Sequence, residues 1–163
     1  MTIRVNKQPV NIREKFAELD GKVNKNEPQR APSFRADLSN NQSFANGVTT
    51  KYAANTVHWD THNAYDTSTY EYVVPIGGIY LITFMNWWGT SSGDRDVVRL
   101  YVNGSVVASD YAFTPGGGTL SAEFVWNLNV NDRISIYIKQ DSGGTLTFDA
   151  NNQNNGFTAT KIA

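Results

Sequence analysis

Cysteine is absent from the 163 residues, which excludes disulfides, thiolate metal sites and cysteine nucleophiles. Long apolar runs are also missing, so no segment reads as a helix able to cross a bilayer, and a membrane is not an expected partner. Met1 is followed by Thr-Ile-Arg-Val-Asn-Lys, without the apolar stretch of a secretory leader. The expectation is a protein that stays in the cytosol or leaves the cell as part of a larger object. Charge is sparse, with a formal net value of -1. The cations are scattered and densest in the first thirty residues. Phosphate backbones are held by clustered Lys and Arg, so nucleic acid is not an expected partner either.

Glycine, asparagine, threonine and serine are plentiful, and aromatics make up 12% of the chain. That mixture suits an all-β protein with many turns. Residues 1–30 read differently. Asn11 and Glu14 form an N-x-x-E capping pattern. Ile12, Phe16, Leu19 and Val23 then recur at four, three and four residues, an apolar stripe along one helix face. Asp20-Gly21 weakens the last turn, and Asn26-Glu27-Pro28 ends it. The spacing predicts a helix over about residues 11–23 and a linker from Lys22 to Pro32. A helix this short needs a partner for its stripe: its own domain, copies of itself, or another protein.

From Ser33 the period changes to two. Phe124, Trp126 and Leu128 alternate with Glu123, Val125 and Asn127; Ile134, Ile136 and Ile138 alternate with Ser135, Tyr137 and Lys139. Val98, Leu100 and Val102 do the same with Val97, Arg99 and Tyr101. These are half-buried antiparallel strands. Asn103-Gly104 fits a type I′ hairpin turn, and Asn131-Asp132, Gly116-Gly117-Gly118 and Gly143-Gly144 mark others. Roughly eight to ten strands fit, at the spacing of a sandwich or jelly roll. One strand breaks the alternation. In residues 79–88, Tyr80, Ile82 and Phe84 make one apolar face, and Ile79, Leu81, Met85 and Trp87 make most of the other. A strand apolar on both faces is covered on both. One face meets the sandwich core; another subunit, or the chain's own loops or N-terminal segment, must cover the second.

Several patterns resemble chemistry. Gly89-Thr90-Ser91-Ser92-Gly93 matches the G-x-S-x-G nucleophile elbow, but a strand rather than a helix is expected to follow it. His58 and His62 lie in a segment of strand character, where four residues span about 13 Å, too far for one metal. Asp94, Asp96 and Asp110 offer oxygen ligands to Ca²⁺, but their spacing matches no calcium loop. Trp87 and Trp88 point to opposite faces of a regular strand, one buried and the other free to stack on a sugar or pack at an interface. No catalytic group, cofactor or metal is expected, and the chain is read as a non-enzyme.

The stretch Tyr65-Asp66 through Tyr72-Val73-Val74-Pro75-Ile76-Gly77-Gly78-Ile79-Tyr80-Leu81-Ile82 resembles the C1q and tumour necrosis factor superfamily, as that family enters its central strand. Leu100-x-Val102-Asn103-Gly104 is similar to its hairpin, and Leu128-Asn129-Val130-Asn131-Asp132-Arg133-Ile134 to its L-x-x-G-D-x-L turn, with Asn131 in place of glycine. Gly156-Phe157-Thr158-Ala159 half matches the closing F-x-G-F. The resemblance spans roughly residues 31–162. It implies an all-β antiparallel jelly-roll β-sandwich of roughly ten strands over residues 31–163, assembled as a homotrimer. It places Leu81, Thr83 and Met85 along the threefold axis, and Trp87 continues the same face.

The segment Val10-Asn11-Ile12-Arg13-Glu14-Lys15-Phe16-Ala17-Glu18-Leu19-Asp20 is similar to the opening of many tailed-phage structural proteins. The resemblances together imply a bacteriophage virion structural protein. It would be a capsid decoration, head fibre or tail fibre whose residues 1–30 attach a jelly-roll knob to other virion proteins. The alternative is a lectin-like module for host attachment through surface glycans.

Overall fold

The computed structural model describes residues 12–16, 18, 30–88, 95–113, 118–150 and 155–163. The chain divides into two compact units, Met1–Arg30 and Ala31–Ala163. In the first, residues 12–16 and 18 are helical. Lys15 Nζ and Glu18 Oε2 are 3.3 Å apart, one turn from each other. Ile12 and Phe16, also one turn apart, are both exposed. Leu19, Val23 and the expected cap Asn11 lie outside the described residues.

The second unit is all β. Its described strands are β1 (Ser33–Asp37), β2 (Gln42–Phe44), β3 (Thr50–Lys51), β4 (Thr56–Asp60), β5 (Tyr65–Asp66) and β6 (Glu71–Val73). They continue as β7 (Gly78–Trp88), β8 (Arg95–Val102), β9 (Ser105–Phe113) and β10 (Gly118–Leu128). The last are β11 (Arg133–Lys139), β12 (Leu146–Phe148) and β13 (Gly156–Lys161). One sheet runs β2-β12-β7-β13-β1-β4, with β10 also on β7; the other runs β5-β6-β11-β8-β9, with β3 on β11. Every named strand pair is antiparallel. Thirteen strands appear where the resemblance implied fewer, because five of them are only two or three residues long and continue or flank longer neighbours across turns.

The core between the sheets is built by the period-two faces. Tyr80, Ile82, Phe84 and Trp88 are buried on β7, Ile134, Ile136 and Ile138 on β11, and Val98 and Leu100 on β8. Aromatic rings dominate one end. Phe34 stacks on Tyr72 at 4.4 Å and on Tyr65 at 4.9 Å, and meets Phe157 edge-on at 4.8 Å. Phe157 belongs to the last strand and Phe34 to the first, so both ends of the sandwich sequence close on one cluster.

The Pro75–Tyr80 run has a physical explanation. Tyr80 Oη donates to the Ile76 carbonyl at 2.6 Å, pinning the turn that enters β7. Gly77 passes close to the backbone at Leu128–Val130. Gly78, at φ +150°, leaves room for the final residues, where Ile79 N donates to the Ala163 carbonyl at 2.8 Å. Two other turns bond to each other. Asn103 and Gly104 both have positive φ, as a type I′ turn requires. Asn103 Nδ2 donates to Asp132 Oδ1 at 2.8 Å, and Arg133 N donates to Asn103 Oδ1 at 2.9 Å.

Gly78→Ala should lower stability by about 1–3 kcal/mol through forbidden backbone geometry. The added carbon also collides with the Ala163 carbonyl and the Lys161 side chain. Gly104→Ala meets open space and should cost only its left-handed φ, about 1–2 kcal/mol. Urea denaturation of the pair separates the two costs; equal losses would mean the C-terminal contact contributes nothing.

Burial pushes the Tyr52, Tyr65 and Tyr72 hydroxyls well above the ordinary tyrosine value. A pKa raised in the folded state gives stability that is intact below the unfolded value, about 10, and falls as pH rises past it. Alkaline titration should therefore hold stability level to about pH 10 and then lose it. Absorbance of these buried tyrosinates should appear together with unfolding; their full titration with native circular dichroism would contradict their burial.

Candidate functional site

The outward face of the first sheet can be assembled from its register. One row runs Glu123–Thr83–Thr158–Arg35–Trp59 across β10, β7, β13, β1 and β4. The next runs Val125–Leu81–Thr160–Ser33. On the other side come Ser121–Met85–Gly156 and then Thr119–Trp87. The structure thus brings Leu81, Thr83, Met85 and Trp87 onto one face, one strand in from the β10 edge of a five-strand surface. Leu81 and Thr83 are half-buried, while Ile79, Met85 and Trp87 are each nearly two-fifths exposed and Val125 is 61% exposed. The charged side chains in these rows are Arg35 and Glu123.

Four hydroxyls of this face bond in pairs. Thr83 Oγ1 and Thr158 Oγ1 are 2.6 Å apart, Ser33 Oγ and Thr160 Oγ1 are 3.0 Å apart, and Trp59 Nε1 donates to Ser33 Oγ at 3.1 Å. Paired hydroxyls leave their methyl groups and the aliphatic side chains to meet whatever covers the sheet. Arg35 lies over the Trp59 ring at 5.8 Å and donates through Nη2 to the Asn155 carbonyl at 3.1 Å. Asn155 is itself buried, and its Oδ1 accepts from Trp87 N at 3.1 Å, which ties the end of β7 to the start of β13.

Two shallow cavities open on this region. The larger, about 410 Å³, is lined by Thr83, Met85, Ser121, Asp110 and Glu123 among others. The smaller, about 220 Å³, lies among Arg35, Trp59, Met85, Asn155, Gly156 and Thr158. Gly156 opposite Met85 makes the second hollow: a Cβ there would sit 3.2 Å from Arg35 Nε. Sequence periodicity found the β7 residues of this face. It missed Thr158 and Thr160, although they alternate with Phe157 and Ala159. It also missed Trp59 and Arg35, which pair across β4 and β1 next to a register shift between Arg35 and Ala36 that leaves His58 as an extra residue.

The patterns with a chemical resemblance are dispersed. His58 Nε2 lies 2.6 Å from Asp37 Oδ2, while His62 Nδ1 is 2.8 Å from Thr61 Oγ1. Asp96 is buried on β8 and Asp110 is exposed on β9. Asp94 and all of Gly89–Gly93 lie outside the described residues; β8 is the strand that follows them. Among the described residues, no three His, Cys, Asp or Glu side chains gather as metal ligands, and no helix is long and apolar enough to cross a membrane. Trp88 is fully buried against Phe148 at 4.8 Å, whereas Trp87 stands on the open face.

No family model matches the chain, and no curated protein matches it. Solved structures do match. Eiger TNF from S. frugiperda superposes with a TM-score of 0.61 at 12% identity, covering 82% of this chain and 92% of that one. Murine APRIL superposes at 0.63 and 12%, covering 82% of this chain and all of that one. The globular domain of zebrafish complement 1qA gives 0.56 at 16%, covering 81% of this chain and 98% of that one. At these identities the likeness is one of fold. The chain is an antiparallel jelly-roll β-sandwich of the kind seen in tumour necrosis factor and C1q domains, with a short helix near its N-terminus.

Proposed function

We propose that this chain is a structural virion protein of a bacteriophage, a homotrimeric knob or fibre held on the particle by residues 1–30. The observation that carries the trimer is the open face of β7. Ile79, Met85, Trp87 and Val125 expose apolar surface side by side, flanked by hydroxyls that are already paired. Contiguous apolar surface of this kind marks an interface. β10 borders the same face, and no strand pairs its outer edge among the described residues. Charge favours a ring. Asp110 and Glu123 line the cavity toward one margin, and Arg35 stands toward the other. A head-to-tail cyclic interface brings unlike margins together. Leu81, Thr83, Met85 and Trp87 then line the interface.

The placement on a virion rests on the N-terminal segment. Its sequence resembles the opening of tailed-phage structural proteins, and its described helical residues expose Ile12 and Phe16 on successive turns. Those side chains, with Leu19 and Val23, are proposed to dock on other virion proteins. The reading requires no catalytic group, cofactor, nucleic acid or membrane. A glycan on Trp87 does not fit it, because Trp87 shares the face assigned to the interface.

Leu81→Asp and Ile82→Asp test the two faces of β7. Ile82 is fully buried in the core, so its aspartate should unfold the domain, costing more than about 4 kcal/mol. Leu81→Asp should retain more β-structure by circular dichroism and lose the trimer, since three carboxylates would meet in a dry interface. A Leu81→Asp protein that stays trimeric with normal thermal stability would exclude this face as the interface.

Deletion of residues 1–30 should leave a folded trimer that no longer incorporates into particles, assayed by immunogold labelling. Normal incorporation of the truncated chain would overturn the anchor role, and absence of the intact chain from particles would overturn the virion placement.

A further inference from the structure

The second sheet turns its outer face away from the proposed interface, and that face carries a different chemistry. Lys51, Tyr137, Arg99 and Ser109 form one row across β3, β11, β8 and β9. Tyr101 stands in the adjoining row, opposite Ser135. The Tyr101 and Tyr137 rings lie 4.0 Å apart between centroids, and Lys51 Nζ is 5.5 Å from the Tyr137 ring centroid. Ser135 and Val97 point to this same face yet are 3% and 4% exposed, so the longer side chains lie across them as a layer.

The cations on this face differ in their partners. Lys51 Nζ is 2.8 Å from Glu71, which also receives Arg133 at 3.4 Å. Lys139 is 2.7 Å from Asp141. Arg99 is half-buried and donates to Thr49 Oγ1 at 2.8 Å, but it has no carboxylate partner among the described residues. A guanidinium presents a planar fork of donors suited to a carboxylate, and here it stands beside the stacked Tyr101 and Tyr137 rings.

We infer that this face binds an acidic carbohydrate, with a sugar ring on the outer side of Tyr101, which Tyr137 backs, and its carboxylate on Arg99. The apolar face of a pyranose packs on aromatic rings, and the fork fixes the acid group. An extended peptide is bound most readily by strand addition at a sheet edge, whereas these residues lie on the middle strands of a face. Nucleic acid demands several free cations, and of the four whose side chains are described here three are already paired. The inference does not depend on the phage reading or on the trimer, since the opposite sheet carries that interface.

Calorimetric titration of the full chain with alginate oligosaccharide, dextran oligosaccharide and polyglutamate tests it. Alginate should bind, with dextran and polyglutamate at least about tenfold weaker. Arg99→Gln should weaken alginate about tenfold or more, and Tyr101→Leu should do so independently, with native circular dichroism in both. No alginate binding, equal binding of dextran, polyglutamate bound as tightly as alginate, or unchanged affinity in both folded variants would each overturn the inference. Native mass recorded on the same samples keeps the outcomes apart: a monomer that binds alginate through Arg99 upholds this site and removes the trimer.

Discussion

The structure depends on a single strand that is apolar on both sides while the described residues bury only one of them fully. β7 sits inside the first sheet, paired with β10 along all eleven residues and with β13 and β12 on its other edge. Its inward residues Tyr80, Ile82, Phe84 and Trp88 are fully or almost fully buried. Its outward residues remain partly exposed and lie one strand in from the edge of a broad surface. Burial contributes about 25 cal/mol per Å² of apolar area, so leaving this surface in water forgoes stabilisation that a neighbouring subunit would supply.

The rest of the first sheet fixes both ends of β7 and pairs polar groups around its outer face. Tyr80 anchors the strand entrance through the Ile76 carbonyl, and Asn155 holds the strand exit through Trp87 N. Threonine and serine hydroxyls across β7, β13 and β1 bond in pairs, which removes the desolvation cost that free hydroxyls would impose on an interface. The two outer faces of the sandwich thus diverge. One is aliphatic with internally paired hydroxyls. The other is aromatic and basic, with most of its described charges compensated and Arg99 bonded to a hydroxyl rather than to a carboxylate.

Much of this was legible in the sequence wherever one physical rule acted alone. Period-two alternation marked β8, β10 and β11, and the Asn103-Gly104 turn followed from positive φ. The two-sided apolar character of residues 79–88 already pointed to an unpartnered face. What could not be read depended on pairing between distant segments. Trp59 meets Arg35 only because β4 pairs with β1, and Thr158 joins Thr83 only because the last strand inserts beside β7. The Arg99 cluster was invisible for the same reason: Lys51, Tyr137 and Arg99 come from three strands far apart in sequence, and no local pattern brings them together.

The central claim is that the open face of β7 is closed by two further copies of this chain. Light scattering coupled to size exclusion, with the full chain at micromolar concentration, tests it most directly. The account predicts one species of three times the 18.1 kDa chain mass. A single species at 18.1 kDa would contradict it.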